Sequence, residues 1–364
     1  MTSEGVAVVG TGLIGTSIAL AAIRAGDRVR AYDSEPPTLA AAVKRAPGLE
    51  AAADAASCVA DASLVFVCVP VAAVPAAVLE ALRASTRAVV TDVASVKSHV
   101  VVEVERRAAP ADRARFVGGH PMGGSERSGP ESASPALLDG AVWVLTPTEA
   151  ADAGAIERVS AWVSRVGARP IAMDAERHDR LVAFVSHLPQ VASTALMDVA
   201  AGEEAGEPDI LLLAAGGFRD LTRLAASNPH LWSEILLANR EQVAAAIDRY
   251  AARLAGLRDA VRSGRGEEVE RTFATAKDAR LALAAKPQVK TGVAVLQIPV
   301  PDRPGVLADV AAAVGEAGVN IEDLQIVHSP EGGRGTVHLT VAATAAERAT
   351  EALAGRRFEP LRLA

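Results

Sequence analysis

VAVVGTGLIG, residues 6–15, is a β-branched run that breaks into Gly10-Thr11-Gly12-Leu13-Ile14-Gly15 and continues as an Ala-rich amphipathic segment. A strand that ends in this glycine pattern and opens a helix is the context in which the pattern carries chemistry. Gly10 permits the tight turn, Gly12 lets backbone approach a pyrophosphate, and Gly15 lets helix and strand pack closely. Leu13 and Ile14 complete a helix N-terminus whose N–H groups and positive dipole end face the phosphates. Asp33 closes the next run, VRAYD, where a carboxylate accepts hydrogen bonds from the adenosine ribose and repels a 2′-phosphate. The stretch predicts a Rossmann domain that binds NAD rather than NADP, with Arg28 and Arg30 turned to solvent.

The same rhythm continues in LVFVCVP, AVVTD, FVGG, AVWVLTP and RPIAM, each separated from the next by a longer, mostly helix-length segment. Such runs predict βαβ units and a doubly wound parallel α/β sheet covered on both faces, over residues 1–173. Pro70 ends the VCVP run at the sheet edge that borders a cofactor crevice, which places Val69 and Pro70 on the nicotinamide side. From 174 to 285 the β signal gives way to apolar residues at helical spacing, as in LWSEILLANREQVAAAIDRYAARLAGL. Asn228 and Pro229 mark one helix start as N-cap and first helical residue. An all-α domain is expected here, then a linker at 286–292. Residues 293–364 read as the β-α-β-β-α succession of a small ferredoxin-like α+β domain.

The 364 residues predict two or three domains, and 50% hydrophobic with 22% charged residues is a globular composition. A net charge of −7 argues against a nucleic-acid or anionic-membrane surface, which needs a basic field. No basic leader precedes the first strand and no apolar run nears the ~18 residues of a membrane span, so a cytoplasmic protein is expected. Cys58 and Cys68 lack metal-ligand spacing and predict neither disulfide nor metal site.

TDVASVKS carries Asp92, Ser95 and Lys97 just past one strand, and FVGGHP carries His120 just past the next. Both emerge at the edge that holds the dinucleotide turn. Ser95 and His120 are placed to share a hydrogen bond, and the imidazole to take a substrate hydroxyl proton while hydride leaves the same carbon. FRDLTR sets Arg219 and Arg223 on one face if helical, a clamp for an anionic substrate. In SHLPQ, Pro189 predicts a kink, with His187 and Gln190 sharing a face.

Together GTGLIGTS, TDVASVKS, GGHPMGGSERSG, SHLPQVAS and GGFRDLTRLAASNPHLW resemble the prephenate dehydrogenase family of tyrosine biosynthesis, over residues 5 to 285. The resemblance implies a Rossmann domain followed by a helical dimerisation domain, hence a homodimer, with the active site in the cleft between them. It implies NAD-dependent oxidative decarboxylation of prephenate to 4-hydroxyphenylpyruvate. By the same resemblance His120 is the base and Arg223 holds a substrate carboxylate, with Arg219 at the cleft and His187 touching cofactor or substrate. Some relatives carry histidine where Gln190 stands. Glu126 is the acid that would meet the ammonium of arogenate, the alternative substrate; it could equally pair with Arg127. His178, beside Asp179, is read as a capping or interdomain contact, and Trp232 and Asn239 as sharing a helix face with Trp232 in the core.

PDRPGVLADVAAAVGEAGVNIEDLQIVH, residues 301–328, resembles an ACT domain. This implies an amino-acid effector at Asp302, Gly305, Asn320 and Ile321, tyrosine or phenylalanine by pathway logic, or a pairing module without ligand. Two other classes fit less well. A 3-hydroxyacid dehydrogenase would place a catalytic lysine on the helical domain, which has only Lys277 near its end. A non-enzymatic NAD or amino-acid sensor would have lost the base or the anion clamp, and both are present.

Overall fold

The computed structural model describes residues 4–123, 128–203, 209–284, 293–301, 303–328 and 334–363. Two compact units emerge: the chain up to Val199 with Thr222–Arg249, and Ala200–Leu221 with the chain from Tyr250. They do not follow the change of periodicity at 173/174.

The first unit is built on an eight-stranded sheet. Its strands are β1 (Gly5–Val9), β2 (Arg28–Tyr32), β3 (Leu49–Ala51), β4 (Leu64–Val67), β5 (Val89–Asp92), β6 (Phe116–Pro121), β7 (Val142–Thr146) and β8 (Arg169–Ala172), in the order β3-β2-β1-β4-β5-β6-β7-β8. β1 to β6 are parallel, as fully buried runs such as LVFV of β4 predict. β7 departs from the expected parallel sheet: it runs antiparallel to β6, with β8 parallel to β7. A strand's direction is set by the connection that delivers it, and between β6 and β7 the described connection holds only short 3-10 turns at Pro130–Ser132 and Pro135–Leu137. The antiparallel pairing carries β6 through His120, opposite Val144. The GGHP stretch, which reads as a loop, is therefore the C-terminal end of a strand.

On one face of this sheet Ile18, Ala19 and Ala22 of helix Leu13–Arg24 pack with Phe66, Trp143 and Trp162, the Phe66 and Trp162 rings 4.3 Å apart. On the other lie Val78 and Leu82 of helix Val74–Ala84 and Val100 and Val104 of helix Ser98–Arg107. Ile235, with Trp232, Ala238 and Ala175 against it, joins that second core. Each such burial contributes about 1.5–3 kcal/mol for a large aliphatic or Phe side chain. Helix Ala175–Val182 thereby docks against helix Ser98–Arg107 and β7, and helix Pro229–Ala238 against the 3-10 turn Val71–Ala73 that follows β4. Both start on side-chain caps: Asp174 accepts from Arg177 N, and Asn228 from Leu231 N with Pro229 at the first position. The kink expected at Pro189 takes the form of a π-helical segment, Ala183–His187, before helix Leu188–Glu203. The ring clashes with the carbonyl four residues back, and a wider turn relieves it.

The second unit holds an antiparallel sheet of β9 (Val293–Pro301), β10 (Ile321–His328), β11 (Arg334–Ala342) and β12 (Leu361–Leu363) in the order β10-β11-β9-β12. Val310 and Val314 of helix Val306–Glu316 and Ala349 and Leu353 of helix Ala346–Gly355 cover Leu296, Ile298, Val337 and Leu339. This is the expected ferredoxin-like domain; its fourth strand, β12, which the β-α-β-β-α reading left out, completes the sheet beside β9. Among the described residues no helix is long and apolar enough to cross a membrane.

Candidate active site

The dinucleotide turn is shaped by glycines that cannot be replaced. Gly10 has φ 95°, and a Cβ there would lie 2.5 Å from the Cys68 carbonyl oxygen; at Gly15 a Cβ would overlap the Gly10 carbonyl. The ends of β1 and β4 meet only because both side chains are absent. Gly12 differs: nothing lies within 4 Å of its Cβ position, and it is the N-cap of helix Leu13–Arg24, which no side chain caps. An open backbone at an uncapped helix N-terminus fits a pyrophosphate. Leu13 and Ile14 form the half-buried first turn, and Pro70, after Val69, leads into the 3-10 turn Val71–Ala73. Asp33 is fixed beside the turn, its Oδ2 accepting from Thr11 N at 2.6 Å and Thr11 Oγ1 at 3.0 Å and its Oδ1 from Glu35 N at 3.0 Å. Arg30, which could have met a 2′-phosphate, is engaged by Ser57 O at 3.2 Å and lies 3.7 Å from both Glu50 and Asp61.

Past β5 and β6 a second cluster forms. Lys97 is fully buried, ion-pairs with the equally buried Asp92, and donates to Gly119 O at 2.7 Å. A Cβ on Gly119 would stand 2.6 Å from Asp92 O, so only glycine lets β6 approach β5 this closely. The residue before His120 is thus clamped. Burial pulls the Lys97 ammonium below its ordinary range, opposed by Asp92 and Asp179.

His120 Nδ1 lies 2.8 Å from His178 Nε2, and His178 Nδ1 lies 2.8 Å from Asp179 Oδ1. Asp179 in turn accepts the backbone N–H groups of Lys97 and Ser98, each at 2.8 Å, at the start of helix Ser98–Arg107. Burial pushes the Asp179 carboxyl up, but the hydrogen bonds from His178, Lys97 and Ser98 outweigh it and hold the group below its ordinary value. A carboxylate only accepts, so His178 Nδ1 carries a proton. With that single proton on the ring, Nε2 is an acceptor, His120 Nδ1 donates to it, and His120 Nε2 is left with a free lone pair. Burial above all, with His178, Lys97 and His187 adding to it, holds His120 well below the ordinary histidine range.

The hydrogen bond from His120 therefore goes to His178, where the sequence suggested Ser95; Ser95 is half-buried on the turn between β5 and helix Ser98–Arg107. His178 and Asp179, read as capping or interdomain residues, lie at the centre of the cluster. Asn239 joins it too, with Nδ2 2.9 Å from Asp179 O and 3.2 Å from His187 Nδ1. His187 is buried, edge-on to Trp232, and burial lowers its ring to about 4.

Helix Gly216–Thr222 ends one residue short of Arg223, which opens the 3-10 turn Arg223–Ala226, so Arg219 and Arg223 do not share one α-helical face. Gln190 explains the turn: its Nε2 donates to Leu224 O at 2.8 Å, and one helical turn away Ser193 Oγ accepts from Ala225 N at 3.1 Å. Gln190 thus holds the segment that carries Arg223. Arg223 is exposed, and Arg219, in the second unit, is exposed with its Nε on Ala214 O at 3.1 Å.

In the small domain Gly305, φ 86°, caps helix Val306–Glu316 beside a cavity of about 370 Å³ lined by Arg303, Pro304, Gly305, Ile326 and Gly335. Asn320 Nδ2 donates to Glu322 Oε1 at 2.8 Å, and Ile321 opens β10 opposite Val341. Glu126 and Asp302 lie outside the described residues.

Three family models match in order: prephenate dehydrogenase, nucleotide-binding domain, over 18–172; prephenate dehydrogenase, dimerization domain, over 174–275; and ACT domain over 294–355. The chain is 32% identical to a prephenate dehydrogenase of Bacillus subtilis, over 91% of this chain and 90% of that one. Its fold is similar to that of a prephenate dehydrogenase from A. aeolicus, solved with hydroxyphenyl propionate and NAD+, with TM-score 0.72 and 30% identity over 78% of this chain and 99% of that one. It is also similar to an arogenate dehydrogenase of Synechocystis, with TM-score 0.66 and 29% identity over 76% of this chain and 98% of that one. With a dinucleotide turn, a histidine relay at the same sheet edge, the family's two domain models in order and a relative matched over 91% of this chain, this protein belongs to the prephenate dehydrogenase family.

Proposed function

We propose that the chain is an NAD-dependent dehydrogenase that converts prephenate to 4-hydroxyphenylpyruvate and CO2 in tyrosine biosynthesis. The observation that carries this reading is the His120–His178–Asp179 chain at the sheet edge of the dinucleotide turn.

NAD, when bound, supplies the acceptor for the hydride that leaves ring C4. Gly12 with Leu13 and Ile14 would hold its pyrophosphate on the turn that Gly10 and Gly15 shape, Asp33 would meet its ribose, and Val69 and Pro70 would border its nicotinamide. His120 Nε2 takes the C4 hydroxyl proton as carbonyl character grows at C4. Cleavage of the C1–carboxylate bond releases CO2, and its electron pair aromatises the ring. The phenolate oxygen then recovers the proton from His120, so the overall reaction releases none. General-base assistance of this kind is worth about 10²–10⁴-fold. Ser95, on the same edge, contacts the C4 oxygen. Arg223 holds a substrate carboxylate bidentately, and His187 meets an oxygen of the reactants. Gln190 acts one step back, through the Arg223 turn.

Arogenate is the alternative substrate, since it keeps every reacting atom and exchanges only ketone for ammonium. The protein works in the cytoplasm as a homodimer, and its ACT domain takes tyrosine or phenylalanine at the Gly305 cap with Asn320 and Ile321. Initial rates of NADH formation with prephenate and with arogenate test the substrate. Turnover of prephenate supports the reading; turnover of arogenate alone replaces it.

A further inference from the structure

We infer that Asn239 is a positioning residue that fixes His187 as a hydrogen-bond donor toward a carbonyl or carboxylate oxygen of the bound reactants. The identity of those reactants rests on the proposed function; the protonation pattern does not.

Asn239 is 5% exposed and sits where helix Pro229–Ala238 ends and helix Arg240–Arg262 begins. Its Nδ2 is 2.9 Å from the Asp179 carbonyl oxygen. A backbone carbonyl can only accept, so the amide nitrogen, not its oxygen, must face Asp179. That same nitrogen is 3.2 Å from His187 Nδ1, which must then accept as well. A neutral imidazole that accepts at Nδ1 carries its proton on Nε2. His187 is 1% exposed, and burial, which outweighs the opposing pull of Asp179, keeps the ring neutral near pH 7.

The donor so created is itself notable. His187 Nε2 is buried and has no hydrogen-bond partner among the described residues. Buried donors are almost always satisfied, and one left open beside a reactive cluster points to a ligand oxygen that completes it. Trp232, edge-on at 6.1 Å between ring centres, fixes the plane of the imidazole and hence the direction of Nε2–H. Through Asp179 the same amide reaches the other histidine: Asn239 holds the residue whose carboxylate orients His178. One side chain thereby sets both arms, a donor at His187 and, by way of Asp179, an acceptor at His120. A mere helix-end role for Asn239 would leave the His187 tautomer unspecified.

Heteronuclear NMR of the imidazole nitrogens in the full-length protein tests this, with the His187 signals identified through His187→Gln. In the wild type, His187 is expected to be protonated at Nε2 and unprotonated at Nδ1. In Asn239→Asp the carboxylate accepts from Nδ1–H, and the tautomer reverses. In Asn239→Leu, which supplies neither donor nor acceptor, the two forms mix. Addition of NAD+ alone shifting the Nε2–H signal identifies the carboxamide oxygen as partner; a shift only with NAD+ and 4-hydroxyphenylpyruvate together identifies a carboxylate or keto oxygen. A wild-type His187 protonated at Nδ1, a folded Asn239→Asp protein with an unchanged tautomer, or an Nε2–H signal indifferent to both additions overturns the inference. The expected tautomer and an NAD+ response in a protein that does not turn over prephenate would instead reject the proposed function and leave this inference standing.

Discussion

His120 and His178 meet ring nitrogen to ring nitrogen at 2.8 Å, with Asp179 a further 2.8 Å behind His178. The residues come from the end of β6 and from helix Ala175–Val182, so the relay exists only because that helix is docked on the sheet. A positive charge that arises on His120 as it takes a proton is balanced, through His178, by the Asp179 carboxylate.

The relay predicts a specific pattern for Asp179→Asn. An amide cannot accept from His178, Lys97 and Ser98 as the carboxylate does, so His178 loses its orientation and helix Ser98–Arg107 loses a cap. The expected result is a kcat lower by about 10²–10⁴-fold with prephenate KM changed only a few-fold, and stability lower by about 1 kcal/mol. Steady-state kinetics and a denaturant melt check both.

Two histidines make the protein sensitive to acid in different ways. His120 is held well below its ordinary value of 6.5, so the acid limb of kcat/KM is expected below pH 6.5, with activity lost as pH falls through the folded-state value. His187 is lowered from 6.5 to about 4. Between those two values the unfolded chain binds a proton that the folded chain refuses, so stability falls as pH falls, by about 3 kcal/mol at most from this residue. Denaturant melts at about pH 7 and about pH 5 are expected to show a smaller difference for His187→Gln than for the wild type.

Gln190 and Arg223 are expected to act on the same kinetic constant. Arg223→Lys keeps the charge but loses the planar fork, lowering kcat/KM for prephenate by roughly 10–100-fold. Gln190→Met removes the amide that donates to Leu224 O and should raise prephenate KM several-fold while NAD+ KM stays put. Equal changes in both Michaelis constants would show that the Arg223 turn does not belong to the substrate side.

Asp33 is expected to set cofactor choice. Asp33→Asn removes the charge that repels a 2′-phosphate, so NADP+ turnover should rise and NAD+ KM should increase by about 10-fold as a charge-assisted hydrogen bond to the ribose is weakened. Rates measured with each cofactor check the direction.

Much of this was legible in the residues. The β-branched runs located the sheet, the glycine turn located the cofactor end, and GGHP singled out His120. What the sequence did not carry was tertiary. Nothing in VWVLT records that β7 runs backwards, yet that reversal extends β6 through His120. His178 is 58 residues from His120, and Asn239 lies 60 from Asp179, so no local spacing announces their contacts. The pairing of Gln190 with the Arg223 turn likewise depends on helix Leu188–Glu203 meeting a segment that in sequence looked like a continuing helix.

The central claim is that His120, oriented by His178, is the base. The most direct measurement is NADH formation from prephenate by wild type and His120→Asn, with NAD+ binding followed separately. The account predicts a variant that folds and binds NAD+ normally but loses kcat by about 10²-fold or more. A variant that turns over prephenate at the wild-type rate, with an unchanged acid limb, would contradict it.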